Sequence, residues 1–215
     1  FDEGLRVLSK GGRIMAGAIM KGALCLAVAT GIALPGLARA DNGDGQFAVE
    51  GSGRATCQQF SAARKDQQSA DYRTLIGFVE GYLTAANRYE PETFDLSPWH
   101  NEAGFGLILE KHCADHPEES LVGSLQKLVI GLRPIRVAQF SKLVEVGDGT
   151  NRALVYEAIL KRAQAALKRR GLYRGAEDGS FSPALRDAVK QFQKQQGLTA
   201  TGVPDPATLW TLLNP

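Results

Sequence analysis

Two short stretches near the end of the chain punctuate it in the same way: Ser182-Pro183-Ala184 and Asp205-Pro206-Ala207. In each, a capping side chain precedes a proline at the first helical position, where a fixed φ helps and the missing N–H is not needed. Two matching stops go with them, Gly171-Leu172 and Gly197-Leu198, the first preceded by Lys168, Arg169 and Arg170. Glycine supplies the left-handed residue past a helix end, the leucine can fold back on the last turn, and cations suit the carbonyl end of the helix dipole. Between these marks there is room for three helices. The first runs from about Arg152 or Leu154 and turns Val155, Ile159, Ala163, Ala166 and Leu167 inward. The second buries Leu185, Ala188, Val189 and Phe192 at i, i+3, i+4 and i+7, and the third buries Leu209, Leu212 and Leu213.

Ala163-Gln164-x-x-Leu167, Gly171-x-Tyr173, Asp178-Gly179-x-Phe181-x-Pro183, Ala188-Val189-x-x-Phe192-Gln193, Gly197-Leu198, Thr201-Gly202 and Asp205-x-x-Thr208 follow one another in order. From about Tyr156 to Leu213, this pattern resembles the bacterial three-helix peptidoglycan-binding domain. The resemblance implies a domain at 152–215 that binds peptidoglycan without cleaving it. Ser182 stands where a glycine is common in that family and caps better than glycine. Leu185 stands where a threonine is common and is expected to alter a ligand-facing surface. Core, backbone angles and capping account for most of the shared residues. Tyr173, Arg174, Asp178 and Gln193 remain as candidate peptidoglycan contacts, an aromatic face for sugar and an arginine and amide for stem-peptide carboxylates and carbonyls. Residues 152–215 hold ten Lys/Arg against five Asp/Glu, a surplus that favours an anionic polymer.

The first 40 residues read as an address. Lys21 precedes an apolar run from Gly22 to Leu34, followed by Pro35 and Ala38-Arg39-Ala40, the layout of a secretory signal peptide cleaved before Asp41. The run is too short to span a bilayer, so no membrane span is expected in the mature protein. Phe1 is not an initiator; Met15 and Met20 are candidate starts. Leu24 is too large for the small residue that lipoprotein processing at Cys25 would want. An exported protein, periplasmic or wall-associated, then keeps one cysteine pair, Cys57 and Cys113, and an oxidising compartment favours a disulfide between them.

Residues 41–53, rich in Gly and Asp, are expected to be a flexible mature N-terminus. Tyr72, Leu75, Ile76, Val79, Leu83 and Ala86 share one helical face, as do Leu121, Val122, Leu125, Leu128, Val129 and Leu132. With Pro91, Pro98 and Pro117 as breaks, helices are predicted near 56–66, 71–89, 100–114 and 117–132, the cysteines tying the first to the third. Gly77 and Gly81 suggest close packing of two helices. Cys57-x-x-Phe60, Gly77-Phe78-Val79-Glu80-Gly81-Tyr82 and Cys113 followed by His116-Pro117-Glu118-Glu119-Ser120 loosely resemble the HdeA-like group of small periplasmic helical proteins. That resemblance implies a helical, disulfide-tied domain at 54–146, in a group that includes acid-stress chaperones. Residues 134–146 fit neither helical nor strand period cleanly, and 147–151, Gly-Asp-Gly-Thr-Asn, read as a linker. The fold class expected is therefore all-α, a small disulfide-tied helical domain followed by a three-helix domain.

A catalytic reading finds little to stand on. His100, His112 and His116 are the only histidines, and the i, i+4 pair His112 and His116 lacks the glutamate of an HExxH zinc site. An oxidised Cys113 is no nucleophile. Glu80, Glu90, Glu92, Asp95, Glu102 and Glu110 offer many carboxylate pairs for glycoside hydrolysis, but some 80 helical residues leave little room for a sugar cleft. The expectation is a non-enzymatic protein with no catalytic residues, metal or other cofactor. Its expected partners are peptidoglycan and an unknown periplasmic protein for the first domain, with no nucleic acid. The alternatives are a wall hydrolase or its regulator, and a wall-tethered chaperone or immunity-type inhibitor.

Overall fold

The computed structural model describes residue 42 and residues 44–214; the signal-like segment and Cys25 lie outside them. From Ala48 onward the chain forms one compact unit. It contains α1 (Cys57–Arg64), α2 (Ala70–Tyr89), α3 (Glu102–Asp115), α4 (Leu121–Leu132), strands β1 (Leu143–Asp148) and β2 (Asn151–Tyr156), then α5 (Glu157–Arg169), α6 (Pro183–Gln195) and α7 (Pro206–Leu213). Every α-helix but α5 opens on a side-chain cap. Thr56, Ser69, Asn101, Ser120, Ser182 and Asp205 each accept a backbone N–H of the first turn, Thr56 within a capping box closed by Gln59.

Two apolar cores result. The first gathers Phe60, Tyr72, Leu83, Leu109, Leu125 and Leu132 from α1 to α4. Through it runs the Cys57–Cys113 disulfide, closing a 56-residue separation and joining α1 to α3. The second core is built on Ile159, Leu160, Leu167, Leu185, Phe192 and Leu209, and it also takes in Trp99, Val137, Val146 and Val155 from earlier in the chain. Trp99 reaches it because the stretch before α3 is held to Val137: Phe94 and Asp95 donate their N–H groups to the Val137 carbonyl (2.8 and 3.0 Å), and Val137 N–H returns a bond to Asp95 (2.8 Å). The Arg162 guanidinium of α5 also reaches the turn after α4, donating to the carbonyls of Ile135 and Arg136.

The fold departs from all-α at the hairpin. Leu143–Asp148 pairs antiparallel with Asn151–Tyr156, Val144 opposite Val155 and Val146 opposite Ala153. The Gly-Asp-Gly-Thr-Asn segment expected as a linker is the tip of that hairpin. Alternation puts Val146 and Val155 into the core while Leu143 and Leu154 stay exposed. Gly147 has φ 101°, and a Cβ there would fall 2.0 Å from the Asn151 carbonyl oxygen, so the turn demands a glycine for reasons unrelated to flexibility. In consequence α5 begins at Glu157 rather than near Arg152. Two other expectations also change. Gly77 and Gly81 are exposed, and a Cβ at either would meet nothing within 4 Å, so they are not helix-packing contacts. Gly51–Arg54, overlapping the end of the 41–53 stretch expected to be flexible, forms a 3-10 turn whose buried Gly53 lies against the Phe78 ring.

Candidate peptidoglycan-binding face

The loops of the last three helices are organised by two glutamines, both fully buried. On α5, Gln164 accepts the Gly179 N–H (2.8 Å) and donates to the Asp178 carboxylate and the Ser180 carbonyl (3.0 Å each). On α6, Gln193 accepts the Gly202 N–H (2.7 Å) and donates to the Val203 carbonyl and the Thr208 hydroxyl (2.9 Å each). Gly179 and Gly202 have φ 81° and 79°. Each helix thus uses one amide to pin the left-handed glycine of the loop that leads to the next capped helix. A buried amide with all its polar atoms paired specifies the loop conformation, because every alternative leaves a donor or acceptor unmet.

The four candidate contacts therefore separate. Gln193 is engaged inside the fold. Tyr173 is 5% exposed, its ring in the second core and its hydroxyl donating to the Ala176 carbonyl at 3.0 Å. Neither offers a free face to sugar. Arg174 and Asp178 are exposed on the loop between α5 and α6. The Asp178 carboxylate is held below the usual carboxylate range, chiefly by the Ser180 N–H and then by the Gln164 amide. Leu185, expected to alter a ligand surface, is 0% exposed and belongs to the core.

The stops and starts fall where the punctuation placed them. Leu172 N–H bonds the Leu167 carbonyl and Leu198 N–H the Gln193 carbonyl, both at 2.9 Å, the six-to-one closure of a Schellman end. The basic surplus of this region is partly consumed: Arg152 pairs with Glu145, Lys168 with Glu177 and Arg186 with Asp148, while Arg170 lies over the Phe192 ring. Lys161, Arg169, Arg174, Lys190 and Lys194 are exposed and have no ion pair among the described residues.

In the first core's region Glu90, Glu110 and Glu119 are engaged in ion pairs. Arg133 makes two bonds to Glu90 (2.7 and 3.0 Å), Arg64 pairs with Glu110, and Lys127 and His112 both reach Glu119. Among the described residues no group of three or more His, Cys, Asp or Glu is arranged to hold a metal ion.

A second feature had no signal in the sequence. A groove of about 650 Å³ runs between α3 and the start of α7, with Trp99 and His100 at its base and Leu107 and Trp210 on its walls. His100 stacks between Trp99 and Phe105 and meets the Trp210 ring edge-on. Its two walls come from distant parts of the chain, so no local pattern could have revealed it.

Residues 157–212 match the family model described as "Putative peptidoglycan binding domain". Over 47 residues the chain is 49% identical to the "Localization factor PodJL" of Caulobacter vibrioides, in strain NA1000 / CB15N and equally in strain ATCC 19089 / CIP 103742 / CB 15. The match spans 22% of this chain and 5% of that protein's length, so it concerns one domain. No solved structure matches the chain. The family match supports the C-terminal resemblance and lends none to the HdeA-like one.

Proposed function

We propose that this is an exported, non-catalytic protein that docks on peptidoglycan through residues 152–215, with Arg174 and Asp178 on the α5–α6 loop among its contacts. The single observation that carries the reading is the family match over 157–212, which falls on the segment whose loops are pinned by Gln164 and Gln193. An arginine suits the carboxylates of stem peptides, and a carboxylate kept ionised suits their amide donors. The unpaired cations nearby favour an anionic polymer. That a localization factor carries a similar stretch fits an addressing role. On this reading the disulfide-tied helices, α1 to α4, face a periplasmic protein partner.

The experiment incubates the chain from Asp41 onward with purified sacculi and measures both pelleting and release of soluble fragments. Pelleting without release is expected. Release of fragments would move the protein to the hydrolases, and a folded chain that does not pellet would remove the binding function.

A further inference from the structure

The groove between α3 and α7 carries two observations that the proposed loop contacts leave unexplained. The first is its aromatic content. Trp99 and Trp210 are the chain's only tryptophans, and both line it. Trp210 is 45% exposed and Leu107, on the opposite wall, 59%. Large apolar side chains on facing walls of a concave surface mark a binding site more often than a solvated surface. The second is a set of unmet polar atoms. Trp99 is only 5% exposed, yet its Nε1 has no hydrogen-bond partner among the described residues, and neither do the two ring nitrogens of His100. A buried donor without a partner costs free energy, and a ligand that supplies an acceptor recovers it.

We propose that this groove is a subsite for the neutral sugar rings of the peptidoglycan glycan, with the Trp210 face stacking on a pyranose ring and the Trp99 and His100 nitrogens meeting its hydroxyl or acetamido groups. The proposal rests on the reading of the protein as a peptidoglycan binder and adds a place and a ligand class to it. Three features select the glycan. The α7 wall belongs to the segment matched by the peptidoglycan-binding family, so the groove continues that domain's surface. Its lining is electrically balanced, with Lys111 offset by Asp205, which suits an uncharged sugar better than the carboxylates of a stem peptide. Its wall is apolar with a few polar atoms, the mixture that a sugar presents on its two kinds of surface. Asn101 at the rim supplies a further side-chain amide.

Because both tryptophans lie in the groove, their fluorescence reports occupancy directly. The full chain is titrated with the β-1,4 tetramer of N-acetylglucosamine, and in parallel with a sugar-free stem tetrapeptide. A saturable change with the tetramer is expected, weakened at least ~10-fold in Trp210→Ala and recovered in Trp210→Tyr, which keeps an aromatic face. Leu107→Glu, a change at an exposed position on the other wall, should weaken it too and guards against misfolding of α7; circular dichroism checks both variants. No saturable change up to ~10 mM tetramer, an equal response in Trp210→Ala, or saturation by the tetrapeptide alone would each overturn the proposal. Concentration-dependent dimerisation that quenches the same tryptophans, with no response to sugar, would assign the groove to a second copy and overturn it as well. Sacculus pelleting that persists while the tetramer fails would leave the broader function standing, so the two failures are distinguishable.

Discussion

Gly202 donates its backbone N–H to the buried Oε1 of Gln193 at 2.7 Å, and Gly179 does the same to Gln164 at 2.8 Å. Replacing either glutamine with leucine leaves a glycine N–H, and its neighbouring carbonyl acceptors, without a buried partner. Gln193→Leu is expected to cost about 1–3 kcal/mol, read from the urea midpoint. Gly202→Ala should also destabilise, because φ is 79° and the new Cβ would lie 2.7 Å from the Arg186 side chain.

The helix punctuation is legible in the sequence because caps, prolines and terminal glycines act within a few residues of one another. Ser182, Asp205, Gly171 and Gly197 all do what their local chemistry dictates. Polarity alone places Tyr173 and Gln193 on the surface, whereas in the fold tertiary partners satisfy each polar group in the interior. The hairpin is not legible because four-to-six-residue alternation is a weak signal and the Gly-Asp-Gly run at its tip carries a linker's composition. The groove depends on His100 and Trp210 meeting across the fold, which no local period encodes.

The hairpin bears on where the C-terminal domain can be cut. A fragment of residues 152–215 removes β1 and with it Val146, which is fully buried, and the carbonyls that hold Arg162. Its thermal midpoint should lie below that of a fragment of residues 133–215, the lost Val146 burial alone being worth about 1.5–3 kcal/mol. Equal midpoints would show that the hairpin adds nothing to the core.

Reduction should destabilise the α1 to α4 region. A 56-residue closure constrains the unfolded chain by about 4 kcal/mol on the entropic model. Urea unfolding with and without reductant, followed by thiol titration of the unfolded oxidised protein, checks this; two free thiols before reduction would remove the bond.

Burial of His100 predicts a pH dependence of stability. Burial lowers its pKa from 6.5 to about 4, outweighing the opposing pull of the Asp95 carboxylate. The folded state then binds fewer protons than the unfolded state between those values. The stability is present above pH 6.5 and is lost progressively as pH falls towards about 4. His100→Phe should flatten the denaturation midpoint across that window relative to the native chain.

Co-sedimentation of the chain from Asp41 onward with purified sacculi, at low salt and up to ~1 mM protein, tests peptidoglycan binding itself. The native chain is expected in the pellet, with Arg174→Ala weakened but equally helical, and with added salt reducing binding to the extent that the unpaired cations contribute. Phe192→Ala, which empties a 1%-exposed core position at a cost of ~3–5 kcal/mol, supplies the unfolded control. A native chain that is folded by circular dichroism and remains in the supernatant throughout that range would contradict peptidoglycan binding.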